Sequence, residues 1–266
     1  MSVEMGIADR ARVGDLEIAY TSAGHGAPAL LFIHGFAGDR TYFAPQLAHF
    51  ASSRRVVALD LRGHGESTTM TSATLDDFAA DVIAVLDAAG LERTVVCGHS
   101  MGGVVALKIA GARPDLVRGV AMIESTVLFP AEVREQASTS FVPALAGEHG
   151  REALTAFFTN VILSPLDPPE LVDRVLHDVA RSSPALAHAF FSDLWTSDYA
   201  TELAGAQCPL LYVHTQAPAD LQRLRRLRPD AFVGEAIGSG HYPQLTVPGQ
   251  VNAMLDRFLD LIDVRA

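Results

Sequence analysis

Val95-Val96-Cys97-Gly98-His99-Ser100-Met101-Gly102-Gly103 is the stretch on which the fold of this chain turns. It reads as a short apolar strand running into a sharp turn with Ser100 at its tip. Val104-Val105-Ala106-Leu107-Lys108-Ile109-Ala110 then reads as a buried helix. Gly98-x-Ser100-x-Gly102 has the spacing of a nucleophile elbow, in which a strained serine pushes its oxygen clear of a sheet. Strand and helix pass so close in such a turn that the residues two before and two after have no room for a side chain, hence glycine. Met101 would offer its backbone N–H at the helix start, where unpaired donors and the positive dipole end favour an anion. A bare G-x-S-x-G carries little weight; the strand before it and the helix after it give this one its force.

Working outward, residues 11–22 alternate Val13, Leu16, Ile18 and Tyr20 with polar neighbours, as an antiparallel hairpin would. Pro28–Ile33, Arg55–Leu59, Val117–Ile123, Pro209–Val213 and Ala231–Ile237 are further short strand-like runs, most of them continuously apolar. Helical segments separate them: Thr41–Phe50, Leu75–Ala89 with Phe78, Val82, Val85 and Leu86 on one face, and Leu221–Leu227; Val251–Ile262 closes the chain. That alternation predicts a doubly wound, mostly parallel α/β sheet, whose ligands bind at the carboxyl ends of the strands. His34, Ser100 and Glu124 each stand just past a strand end and so share one rim.

From Ser125 to Tyr199 the rhythm changes to helices broken by Pro143, Pro165, Pro168-Pro169 and Pro184. This segment holds eight of the nineteen aromatic residues, which suits an inserted cap with an apolar inner face over a pocket. The expected organisation is therefore a core of residues 1–125 and 200–266 with a helical cap over 126–199. A net charge of -11 argues against a nucleic-acid partner or a basic membrane patch. Cys97 and Cys208 lie in or beside apolar runs and read as buried thiols rather than a disulfide. The first residues show no basic-then-apolar leader and no run is long enough to span a membrane, so a cytoplasmic location is expected. No His, Cys and Asp cluster has metal-ligand spacing, and neither metal nor cofactor is expected.

Four stretches carry a resemblance to the α/β-hydrolase superfamily: His34-Gly35-Phe36, Asp60-Leu61-Arg62-Gly63-His64-Gly65-Glu66-Ser67, Gly98–Gly103, and Gly238-Ser239-Gly240-His241. The resemblance implies the α/β-hydrolase fold, Ser100 as nucleophile, His241 as base, and the N–H groups of Phe36 and Met101 as oxyanion donors. His34 and His99 are expected to serve as structural hydrogen-bonding groups. Phe36, Phe129, Phe157, Phe158, Phe191, Trp195 and Tyr242 are the candidate substrate contacts. In most of the superfamily the acid follows the strand formed here by Leu210–Val213, but Pro218 stands in that slot and Asp220 comes two residues late. Glu124 ends the preceding strand, the place used by a subset of the superfamily; it is favoured, with Asp220 as the alternative.

A serine at the elbow argues against the dehalogenase and epoxide hydrolase branches, which need an aspartate there. The expected activity is hydrolysis of an ester, lactone or thioester of a medium-sized apolar small molecule through an acyl-serine. C–C bond hydrolysis and cofactor-free dioxygenation use the same residues and remain alternatives, as does a slow-turnover, receptor-like binding protein.

Overall fold

The computed structural model describes residues 6–215 and 219–264. Eight strands form one sheet: β1 (Ile7–Val13), β2 (Leu16–Ala23), β3 (Leu30–Ile33), β4 (Val56–Leu59), β5 (Thr94–His99), β6 (Val117–Ile123), β7 (Leu210–His214) and β8 (Phe232–Glu235). Their order across the sheet is β1-β2-β4-β3-β5-β6-β7-β8. The β1–β2 and β2–β4 pairs are antiparallel and the other five are parallel. The order reverses between β3 and β5, so the crevice at their carboxyl ends is the topological switch point of the sheet.

Period-two geometry explains why the central strands are apolar throughout. Leu31, Ile33, Val57, Leu59, Val96, Val120 and Met122 join one core cluster, whereas Leu30, Phe32, Val56, Ala58, Val95, Cys97, Ala121 and Ile123 join the other. The second cluster is covered by α1 (Ala44–Phe50) through Leu47 and Phe50, and by α12 (Pro248–Val264) through Val251, Leu255, Phe258 and Leu259. The first is covered by α2 (Leu75–Ala88) and α3 (Met101–Ala112). A strand with a helical layer on each face must be apolar at every position. Cys97 and Cys208 are both buried and unbridged.

Between β6 and β7 the chain forms α4 (Ala131–Gln136), α5 (Val142–Ala146), α6 (Gly150–Phe157), α7 (Pro169–Arg181), α8 (Pro184–Thr196) and α9 (Ala200–Gly205). Ala137–Phe141 and Phe158–Ile162 are wider π-helical turns within this insertion. Beyond β7 lie α10 (Leu221–Leu227) and α11 (Pro243–Thr246). Several boundaries differ from the sequence reading. The N-terminal hairpin starts at Ile7, β8 is confined to Phe232–Glu235, and the last helix begins at Pro248, where a proline is already suited to a first helical turn. Thr41–Phe50 is not one helix: a 3-10 turn over Arg40–Phe43, capped by the Asp39 carboxylate, precedes α1. No described helix is long and apolar enough to cross a membrane.

Candidate active site

Ser100 joins β5 to α3 with φ 52° and ψ -117°, a conformation that costs a residue with a side chain about 1–3 kcal/mol. The close packing that the glycines imply is present. A Cβ on Gly98 would lie 2.1 Å from the Gly102 carbonyl oxygen, and one on Gly102 would lie 2.3 Å from that of Ile33. The Ser100 N–H donates to the Ile123 carbonyl at 2.9 Å, which ties the elbow to the end of β6. The loop after β3 lies directly alongside: a Cβ on Gly35 would come within 3.1 Å of the Ser100 Cβ. Phe36 and Met101, whose N–H groups are the expected oxyanion donors, both border the cavity that Ser100 borders.

Two buried histidines hold this arrangement. The Leu61 N–H donates to His34 Nε2 at 3.0 Å, so the ring proton sits on Nδ1, 2.7 Å from the Gly35 carbonyl. His34 thereby fixes the loop that carries Phe36. His99 Nε2 lies 2.7 Å from the His241 carbonyl, and its proton donates there. Burial holds the pKa of both rings below the usual histidine range, so both stay neutral. The structural roles expected for His34 and His99 match these bonds.

His241 follows β8, and its side chain is 10% exposed. Its Nδ1 lies 3.8 Å from Glu124 Oε2, inside ion-pair range and longer than a hydrogen bond. Glu124 also takes a left-handed backbone, φ 46°, at the end of β6. Its N–H donates to the Val213 carbonyl at 2.8 Å, and its Oε1 accepts the Thr215 N–H. The carboxylate is thus fixed from the end of β7, with its second oxygen toward the imidazole. Asp220 is committed elsewhere: it caps α10, accepting the Arg223 N–H at 2.8 Å, and its own N–H donates to the Leu128 carbonyl. Pro218 lies outside the described residues.

One neighbour of the histidine had no signal in the sequence. Asp167 is buried among the inserted helices; its Oδ2 accepts the Ser164 N–H at 2.8 Å, and its Oδ1 has no hydrogen-bond partner among the described residues. A Cβ on Gly240 would sit 2.5 Å from Ser164 Cβ and 3.1 Å from Asp167 Oδ1, so the 164–167 turn presses on the loop that carries His241. Burial raises the Asp167 pKa, partly opposed by the Ser164 N–H and, to a lesser degree, by His241. Nothing in the order of residues announced that contact, because it joins the insertion to a loop over seventy positions later.

Two cavities meet at the histidine. A small one of about 30 Å³ is bordered by Ser100, Phe36, Met101, Phe158, Phe191 and Tyr242, among others. A larger one of about 460 Å³ is bordered by Thr215, Ser239, Gly240 and the inserted helices. Phe129, Phe157, Ile162, Trp195 and His241 border both. All seven candidate substrate contacts therefore face one cavity or the other. Phe190, Leu194, Ile162 and Thr126 border the cavities too and are not among those candidates. Phe190 stacks on Phe36 with ring centroids 5.3 Å apart and planes within 4°, joining the insertion to the β3 loop. Among the described residues no group of His, Cys, Asp or Glu could hold a metal ion.

Comparison with known proteins agrees with this architecture. A family model described as the alpha/beta hydrolase fold matches residues 28–248. The chain is 29% identical, over 94% of its length, to the dihydrolipoyllysine-residue acetyltransferase component of the acetoin cleaving system of Cupriavidus necator, and spans 68% of that protein. It is 28% identical to the (E)-2-((N-methylformamido)methylene)succinate hydrolase of Acinetobacter baylyi, over 91% of this chain and 93% of that one. Among solved structures, the enol-lactonase from Burkholderia xenovorans LB400 superposes with a TM-score of 0.81 at 21% identity, over 95% of this chain and 100% of that one, a likeness of fold. A sheet reversed at β3 and β5, a serine elbow at the switch point and a family match across the core lead to one conclusion: this chain belongs to the α/β-hydrolase family of enzymes.

Proposed function

We propose that the protein is a serine hydrolase that cleaves an ester, lactone or thioester of a medium-sized apolar molecule through an acyl-serine. The observation that carries this reading is the convergence of Ser100 and His241 on one largely apolar cavity, with Glu124 Oε2 3.8 Å behind the imidazole Nδ1. A serine hydroxyl is a weak nucleophile until a base takes its proton, and His241 Nε2 is the base of this site. The Glu124 carboxylate faces the Nδ1–H, which keeps its proton, and so favours that tautomer and stabilises the imidazolium formed as Ser100 Oγ attacks. The N–H groups of Phe36 and Met101 receive the carbonyl oxygen as it becomes an oxyanion; losing one such donor costs about 10²–10³ in rate. The intermediate collapses as His241 returns the proton to the leaving oxygen or sulfur, and water, activated by the same imidazole, releases the acid. The helices between β6 and β7 serve as a cap, and their aromatic side chains line the substrate's path.

The Acinetobacter baylyi relative, matched over 93% of its length, supports the hydrolytic class, since it is named a hydrolase. A p-nitrophenyl ester tests the reading: it should give a burst of nitrophenol equal to the enzyme, and a fluorophosphonate should label Ser100. Turnover that consumes oxygen, or labelling at any other residue, would refute it.

A further inference from the structure

The two cavities differ in volume and in which groups of the proposed site they border, and the direction of proton transfer bears on which part of an ester each could take. In acyl transfer from an ester, the Ser100 Oγ–acyl bond forms and the acyl–oxygen bond breaks. The proton taken from Ser100 passes from His241 to the departing oxygen. The leaving group must therefore depart on the imidazole side, while the carbonyl oxygen faces the Phe36 and Met101 N–H groups. Both cavities border His241, but only the small one borders Ser100, Phe36 and Met101. The large one instead borders Gly240, Ser239 and Thr215, the backbone around His241 and behind Glu124.

The volumes then set the chemistry. About 30 Å³ is the space of about two water molecules, enough for a methyl or ethyl group beside the carbonyl. Its far wall is aromatic and already packed: Phe36 on Phe190 at 5.3 Å and Phe190 on Phe191 at 4.7 Å between centroids. A long acyl chain would have to break those contacts. The large cavity, about 460 Å³, falls within the roughly 300–1,000 Å³ of small-molecule sites. Among its lining residues Val133 is 36% exposed and Val161 66%, so its rim is apolar and open to solvent. Phe129, stacked on Trp195 at 5.3 Å, stands in the partition between the two.

We infer that the small cavity is the acyl site and the large one the leaving-group site, so that the preferred substrates are short-chain acyl esters, acetyl or propionyl, of bulky apolar alcohols. This rests on the acyl-serine reading above. The decisive comparison is between octyl acetate and ethyl octanoate, isomers of the same atoms and similar hydrophobicity that differ only in which side of the ester is long. The kcat/KM for octyl acetate should exceed that for ethyl octanoate at least tenfold. Filling the large cavity with Ala137→Trp, or with Val133→Trp at its rim, should lower the ratio of octyl acetate to ethyl acetate turnover at least fivefold. If a fluorophosphonate labels Ser100 in a separate sample, then equal rates for the isomers, a preference for ethyl octanoate, no turnover of octyl acetate, or a ratio unmoved in both variants, each measured on unlabelled enzyme, would overturn the assignment alone. No label at Ser100 and no turnover of any ester would instead overturn the acyl-serine reading, and this assignment with it.

Discussion

Replacing Glu124 by glutamine tests the site most sharply, because the structure fixes which way the new amide must face. Glu124 Oε1 accepts the Thr215 N–H, and a backbone N–H cannot face an amide NH₂. The glutamine oxygen must take that position, which turns its NH₂ toward His241 Nδ1, where Oε2 stood 3.8 Å away. An NH₂ there asks Nδ1 to accept, so the ring proton moves to Nε2, the nitrogen that has to take the proton from Ser100. The variant loses the stabilising charge and holds the wrong tautomer together, the combination that in a serine protease triad costs about 10⁴ in kcat. We expect a loss of about 10²–10⁴ in kcat, or about 2.7–5.4 kcal/mol of barrier at 1.36 kcal/mol per tenfold. Asp220→Asn supplies the contrast: an asparagine oxygen can still accept the Arg223 N–H and cap α10, so both activity and stability should stay close to wild type. Steady-state kinetics on p-nitrophenyl acetate, with circular dichroism to match folding, reads both variants. A crippled Asp220→Asn beside an active Glu124→Gln would refute the reasoning outright.

Ser100→Ala should fold normally and lose turnover, and Ser100→Gly should be at least as stable as wild type in thermal melts because φ 52° no longer strains a side chain; a Gly variant that melts several degrees lower would count against a strained elbow. Gly98→Ala puts a Cβ 2.1 Å from the Gly102 oxygen and should lose more than about 3 kcal/mol in urea unfolding, with near-native stability as the contrary result. His64 is buried with its pKa pushed down to about 3, so the unfolded chain binds the extra proton and stability falls as pH drops below 6.5. Between pH 7.5 and 5.5 that one ring costs about 1.4 kcal/mol, with His34 and His99 acting in the same direction; flat stability across this window would show that these rings are not held neutral. Burial raises the Asp167 pKa, which has the opposite sign: its cost is absent at low pH and grows as pH rises through the folded-state value. Asp167→Asn should therefore melt no lower than wild type at pH 7.5, and a clear loss would mean that the carboxylate charge is needed beside His241.

What could be read from the order of residues was whatever local physics enforces. Short unbroken apolar runs at Leu30–Ile33, Val56–Leu59 and Val95–Cys97, too short for helices, read as strands covered on both faces, and each is buried throughout. The glycine at 98 could be assigned because a Cβ there would lie 2.1 Å from the Gly102 carbonyl oxygen, a constraint that lies within five positions of chain; Gly102 itself is held to glycine from a distance, since its Cβ would meet the Ile33 carbonyl of β3 at 2.3 Å. Helix ends were less legible: the 3-10 turn before α1 depends on the Asp39 cap, and β8 stops where its neighbour β7 stops. Pairings between distant segments were settled only by tertiary structure. Glu124 could be favoured over Asp220 from the slot it occupies, but only folding brings Thr215, ninety-one positions on, to hold one of its oxygens while the other faces His241. The bond from His99 to the His241 carbonyl spans 142 positions, and Asp167 meets the histidine loop through a turn of the insertion. The aromatic content of the insertion was plain in the sequence; the split into one cavity of about 30 Å³ and another of about 460 Å³ was not. That split depends on which rings stack on which, and side-chain packing at near-crystalline density is decided by the whole fold at once rather than by any segment of it.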